Sequence, residues 1–227
     1  AYYPFNGNAN DTSGNSNHGK IKSDVSLTSD RFGGEDSAYA FSGNGQIDID
    51  TKNIDFSSDF MVSLWLKTAT ETADKLGIFS QWEDQSGFTI SYRSDQNVKF
   101  FGFKFENYLN KSQLKVNDDK WHHIVAQREG NQGKLYIDGK LDQSAIIGYQ
   151  DWSWPEYAIG AWGPRGDRRF FGKIDDVRIY NRALSEAEVA ELYAAESEAS
   201  KTYNAGAEVT LSATPEEGWE FSHWSGG

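Results

Sequence analysis

Between Lys120 and Asp142 the sequence reads KWHHIVAQREGNQGKLYIDGKLD, and this stretch restricts the fold more than any other. Two apolar runs flank the polar loop Glu129-Gly130-Asn131-Gln132-Gly133, which predicts two antiparallel strands. The second strand reverses again at Asp138-Gly139, a pair suited to a type I′ turn, in which both central residues need φ > 0.

Other segments carry the same period of two. In FMVSLWLKT, Phe60 to Thr68, Val62, Leu64 and Leu66 share one face, while Met61, Ser63, Trp65 and Lys67 take the other. Further strands are expected at Tyr2 to Phe5, Ala38 to Phe41, Gln46 to Asp50, Leu76 to Gln81, Gly87 to Arg93, Lys99 to Phe105, Tyr157 to Gly160 and Ile174 to Tyr180. One helical signal stands out. Ser185 with Glu188 three residues on is a capping box, and Val189, Leu192 and Tyr193 follow at helical spacing. Short strands, turn signals between them and a single helix predict an all-β fold, two antiparallel sheets packed face to face with one short C-terminal helix.

Acidic residues outnumber basic ones by 34 to 22, for a net charge of −12. Nucleic acid and anionic membranes both need a basic face, so neither is an expected partner. There are no cysteines, which excludes thiolate metal sites, catalytic thiols and disulfides. No apolar window reaches the ~18 residues of a membrane-spanning helix. The chain opens on AYYPF, already inside a strand, and reads as a piece of a longer precursor.

Three segments resemble the laminin-G-like, concanavalin A-type jelly rolls of secreted bacterial proteins. They are the Lys120–Asp142 hairpin, GKIDDVRIYNRALSEAEVAELY from Gly172 to Tyr193, and AYYPFNGNANDTSGNSNHGKI at the start. The resemblance implies a secreted or cell-surface protein and a jelly-roll sandwich over residues 1–195. After a linker at 196–202, residues 203–227 resemble the start of a small bacterial surface β-repeat. The fold hosts lectins, adhesion domains and enzymes, so function has to come from the site.

Two sites suggest themselves. The Asn6–Gly19 loop presents many oxygens, and Asn8, Asp11 and Asn15 with nearby carbonyls suit calcium; a plain Asx-rich turn is the alternative. The resemblance adds Asp175, with Asp176 beside it, as the acidic group on the closing strand, making the ion a structural clamp. The second site is a ligand edge. Tyr149, Trp152, Trp154, Trp162, Arg165 and Arg168 crowd one polar stretch, and Trp82 lies beside Gln81. Indoles stack on the C–H faces of sugars while polar neighbours take the hydroxyls. Trp65, Gln81 and Tyr92 on an adjoining concave sheet are the other expected location.

Catalysis is not expected. Glycan hydrolysis needs two carboxylates about 5–10 Å apart, and no strand carries a Glu-x-Asp-x-Glu alternation. His122 and His123 are adjacent on a strand and must point in opposite directions. The sequence thus predicts a non-catalytic module that binds polysaccharide or oligosaccharide, monomeric within a multimodular chain. An adhesion or spacer domain contacting protein is the competing reading.

Overall fold

The computed structural model describes residues 1–71, 76–81, 88–92, 97–102, 112–147, 156–163 and 168–197, with backbone alone at 99–102. The chain divides into two compact units, Ala1–Ser197 and Glu198–Gly227, and the second lies outside the described residues. The first unit ends with the helix, in whose last turn Glu196 is buried.

Strands, numbered along the chain, form two antiparallel sheets. One sheet runs in the order β12 (Lys140–Ile146), β11 (Gln132–Ile137), β10 (Trp121–Glu129), β6 (Phe60–Lys67), β14 (Phe171–Tyr180), β4 (Ala38–Ser42) and β3 (Val25–Thr28), with β1 (Tyr2–Tyr3) also pairing with β14. The other runs β2 (Gly19–Lys22), β5 (Gln46–Asp50), β13 (Glu156–Ile159), β7 (Leu76–Ser80), β8 (Phe88–Tyr92) and β9 (Val98–Gly102). The edge strands β2 and β3 were not expected from the sequence. Both are only four residues long; β2 is largely exposed, while β3 rests just Val25 and Leu27 on the core, too short an alternation to stand out.

The hairpin forms as expected but with a tighter loop. Glu129 pairs with Gln132, leaving two connecting residues instead of five. Asp138 and Gly139 have φ of 50° and 75°, as a type I′ turn requires, and β12 continues from it.

Between the sheets, Val62, Leu64, Leu66, Ile124 and Ala126 face Phe79, Phe88, Ile90, Tyr157 and Ile159. Phe56 lies 4.8–5.1 Å from the rings of Tyr157, Phe60 and Phe88. Each such large side chain contributes about 1.5–3 kcal/mol by burial. Arg128 is fully buried at one end of this core. Its guanidinium donates to Ser58 O and Phe56 O, 3.1 and 3.0 Å away, so the charge is not left bare.

The outer face of β6 and β10 carries α1 (Glu186–Ser197). Ser185 Oγ accepts from the Glu188 N–H at 3.2 Å, and Glu188 Oε2 accepts from the Ser185 N–H at 2.8 Å, closing the capping box. Val189 and Leu184 pack on Met61, Val125 and Tyr136.

His122 and His123 are both buried. The His122 ring lies 2.8 Å from Asp138 Oδ2 and 3.0 Å from Asp118 Oδ1. Burial opposes its charge, but the two carboxylates outweigh burial and raise His122 above its ordinary value. A histidine raised on folding contributes stability that is fully present below the unfolded value, about 6.5, and is lost as pH climbs through the folded value. The melting temperature is expected to fall by a few degrees from mildly acidic to mildly alkaline pH. His122→Gln is expected to flatten that slope in thermal melts.

Candidate functional site

The closing strand β14 is irregular where it matters. Phe171–Ile174 pair with β4, Val177 and Arg178 pair with β1, and the register against β6 slips between Asp175 and Arg178. Asp176 sits in the slip at φ 46°. The bulge presents Asp175 and Asp176 to one cation, and Arg31 Nη1 lies 2.8 Å from each carboxylate. Arg31 Nε also donates to Glu196 O at 2.7 Å, and its guanidinium lies 4.6 Å from the Trp65 ring.

A second guanidinium completes the cluster. Arg178 donates to the Glu196 carboxylate and lies 3.7 Å over the Tyr2 ring, whose hydroxyl donates to Asp176 Oδ1 at 2.5 Å. Glu196 Oε2 accepts from Trp65 Nε1 at 2.8 Å. Three carboxylates thus share two guanidiniums. Burial and then the charge of Asp176 push Asp175 up to about 8 against the pull of Arg31, and burial likewise raises Glu196. The cluster fastens the end of α1 to the sheet. His123 packs beside it, with Nε2 2.7 Å from Ser63 Oγ; burial pulls its value down to about 3 and keeps it neutral.

The opening loop is organised by Asp11. Oδ1 accepts from the Tyr2 and Ser13 N–H groups at 2.9 Å each, and Oδ2 accepts from Asn17 N and Nδ2 at 3.0 and 3.2 Å. Burial would raise this carboxyl, but hydrogen bonds from Ser13, Tyr2 and Asn17 hold it well below the usual carboxylate range. His18 Nδ1 accepts from the Asp11 N–H at 3.2 Å, a loop role rather than a ligand role.

In this structure the Asn8 and Asp11 oxygens expected to hold calcium are engaged in hydrogen bonds within the protein. A hard cation needs six to eight oxygens at about 2.3–2.6 Å. All four lone-pair positions of Asp11 are filled by N–H donors. Asn8 Oδ1 accepts from Asn10 N at 2.9 Å, and Asn15 reaches only Ser13 Oγ through its nitrogen, at 3.0 Å. Asp175 Oδ2 takes Arg31, and Oδ1 takes the Asp176 N–H at 2.8 Å. On the closing strand the Arg31 guanidinium faces both Asp175 and Asp176. No group of three or more His, Asp or Glu among the described residues is arranged to hold a metal.

Part of the expected ligand edge does assemble. Ser80 Oγ, at the end of β7, donates to Ala161 O at 2.6 Å and accepts from Gly163 N at 2.9 Å, fixing both neighbours of Trp162. Gly77 N donates to Arg168 O at 2.9 Å. Trp162 is 5% exposed, while Arg168 is exposed with its guanidinium 5.3 Å from the Trp162 ring. Gln81 follows Ser80 and is buried. Tyr149, Trp152, Trp154, Arg165 and Trp82 lie outside the described residues.

Trp65, Gln81 and Tyr92 do not share a concave face. Trp65 is in the other sheet under α1, 5.7 Å from the Tyr193 ring. Tyr92 follows Phe88 and Ile90 onto the core side of β8, and its hydroxyl donates to Thr70 O at 2.5 Å. The period of two decides both placements.

Gly77 is where the edge loop meets the sheet. A Cβ there would lie 2.1 Å from Ala161 O, a backbone atom that cannot yield without undocking the loop. Gly77→Ala is therefore expected to cost about 2–3 kcal/mol and to disorder the Trp162–Arg168 edge, read by denaturant unfolding and by tryptophan fluorescence.

The sequence reading missed Arg31, Arg178 and Glu196. Glu196 had a signal, since it continues the stripe Val189, Leu192, Tyr193 on one helix face. Arg31 had none, being a lone cation in a polar turn.

The comparisons agree with this architecture. A laminin-G-type family model, described as the concanavalin A-like lectin/glucanases superfamily, matches residues 41–190. A divergent InlB B-repeat model matches 191–227. The botulinum-like toxin eBoNT/J of an Enterococcus species is 26% identical over 203 residues, covering 77% of this chain and 16% of the toxin. The binding domain of Paraclostridial Mosquitocidal Protein 1 superposes at TM-score 0.68 with 23% identity, over 82% of this chain and 49% of that one. Domain 4 of the arabinanase AbnA from Geobacillus stearothermophilus, solved with arabinotriose, superposes at TM-score 0.68 with 22% identity, over 85% of this chain and 97% of that domain. The chain therefore spans a small fraction of the toxin's length and about half of the mosquitocidal binding domain. From Phe41 to Ala190, the chain belongs to the concanavalin A-like lectin/glucanases superfamily, with a divergent InlB B-repeat following it.

Proposed function

We propose that this domain is a non-catalytic carbohydrate-binding module of a secreted, multimodular bacterial protein, taking polysaccharide chains at the edge built by Trp162 and Arg168. The observation that carries the reading is the exposed Arg168 guanidinium held over a buried indole, in a loop pinned to β7 at Gly77 and Ser80. An indole-backed guanidinium is pre-oriented for bidentate contact with the oxygens of a sugar or its carboxylate. Trp152, Trp154, Tyr149 and Arg165 belong to the same stretch of sequence. The AbnA domain with its arabinotriose supports a saccharide as the ligand class.

The carboxylates Asp175 and Asp176 on β14 and Glu196 in α1 are tied to guanidiniums, which supports binding without bond cleavage. A shallow site of this kind gains strength from neighbouring modules. Some structural relatives are toxin receptor-binding domains, and the second reading is adhesion to a receptor rather than to a polysaccharide.

A glycan array probed with the full chain separates the two. Reproducible retention on a polysaccharide, lost in Arg168→Ala or Trp152→Ala and unchanged in melting temperature, is the expected result. Silence across a broad panel of neutral and acidic glycans removes the carbohydrate reading.

A further inference from the structure

Most described arginines of this acidic chain are spent inside the fold. Arg31, Arg178 and Arg182 each hold a carboxylate, and Arg128 donates to the Ser58 and Phe56 carbonyls. Arg168 and Arg169 are different, and neither touches a carboxylate among the described residues. With 34 acidic residues against 22 basic ones, counter-ions are not scarce. Two adjacent guanidiniums left unpaired in such a chain are available to an anion from outside.

Arg169 is half-buried and held in place. Its backbone bridges to Gly77, and its Nη1 donates to Asn44 O in the turn between β4 and β5. Its buried Nε makes no hydrogen bond, so most of the five-donor fork is unspent. Phe171 comes to the same turn. Its ring lies on Gly43, where a Cβ would be 2.0 Å from Phe171 Cζ, and Gly43 holds φ 85°. Thr68 Oγ1 donates to Phe171 O at 2.8 Å and Phe171 pairs with Ser42, so the ring stands on fixed backbone. The ring is nevertheless 44% exposed. Asn44 is exposed too, and its side-chain amide makes no hydrogen bond among the described residues. Asp24 meets this turn through its backbone carbonyl, which accepts from Ser42 Oγ at 3.3 Å.

We infer that Phe171, Arg169 and Asn44 form a subsite for an anionic sugar unit, one that carries a carboxylate or a sulfate, adjoining the Trp162–Arg168 edge. The exposed ring takes the C–H face of the sugar, the guanidinium takes the oxyanion and the amide takes a hydroxyl. Arg168 and Arg169 are consecutive, with Cα atoms about 3.8 Å apart, so one oligosaccharide can span both. The inference rests on the carbohydrate reading of that edge and adds the charge of its ligand. The net charge of −12 slows the approach of an acidic glycan but acts at longer range than a bidentate contact.

The test is calorimetric titration of the full chain with trigalacturonate, a κ-carrageenan oligosaccharide and arabinotriose. The proteins are wild type, Arg168→Ala, Arg169→Gln, Arg169→Lys, Phe171→Ala and Lys52→Ala, each checked by thermal melting. Lys52 is an exposed cation past the far end of β5 and controls for net charge. At least one anionic probe is expected to bind on the order of tenfold tighter than arabinotriose, and the tighter of the two identifies the anion. That affinity should fall about tenfold or more in Arg169→Gln and in Phe171→Ala, recover in part in Arg169→Lys and stay put in Lys52→Ala. Arabinotriose binding that depends on Arg168 alone, with no preference for an anion, would leave the edge reading intact and overturn the subsite. Anion binding sensitive to Arg169 and Phe171 but not to Arg168 would support the subsite and count against the edge. Equal losses for neutral and anionic probes in Arg169→Gln would make Arg169 a strut for the turn and overturn the assignment. Binding of no probe by the folded chain would overturn it as well.

Discussion

Arg31→Met is expected to lower the melting temperature by about 10 °C or more. Its side chain is 8% exposed and contacts Asp175, Asp176 and the Glu196 carbonyl. Removing it strands two carboxylates against each other in a buried bulge, and breaking a buried ion pair from one side costs about 3–5 kcal/mol. In a domain of this size each kcal/mol is worth about 2–4 °C. Arg31→Lys keeps the charge but loses the fork that spans both carboxylates and the helix end, so an intermediate loss is expected. Excess chelator is expected to leave the wild-type melt in place, because the internal guanidinium already neutralises this part of β14. A wild-type melt that falls with chelator and recovers with calcium would contradict that assignment.

Asp11→Ala is the second large effect, a loss of about 3 kcal/mol or more in denaturant unfolding. Four N–H bonds converge on the one carboxylate, and each buried donor left without a partner costs about 1–3 kcal/mol, with water recovering some of it. The damage should be local first. Tyr3 donates to Asn17 O at 2.6 Å and β1 pairs with β14 at Tyr2 and Tyr3, so the opening strand is expected to detach. Hydrogen exchange at Tyr2, Tyr3 and Val177 reads this directly. Asp11→Asn keeps one accepting oxygen and should fall between wild type and alanine.

What the sequence made legible follows from what is periodic in it. The alternation in FMVSLWLKT placed Val62, Leu64 and Leu66 in the core, and the Asp138-Gly139 pair fixed the turn into β12. Ser185 with Glu188 marked the start of α1 to the residue. The electrostatic cluster was not legible, because Arg31, Asp175, Asp176, Arg178 and Glu196 meet only after β14 bulges and α1 folds back. A bulge has no residue signature here, and an Asx-rich opening loop looks the same whether its carboxylate takes a cation or four backbone N–H groups. In this structure the Asp11 carboxylate takes N–H groups of its own loop and of Tyr2. Trp65 was misplaced for a related reason. Alternation gave its face correctly, but not that the terminal helix would claim that face.

The most direct test of the account is a pull-down of the full chain on insoluble polysaccharides, followed by chromatography of the glycan. Retention on at least one polysaccharide, weakened by Arg168→Ala and with the glycan recovered at its original length, is the predicted result. A chain that is retained on none of them, or one that leaves shortened products behind, would contradict it.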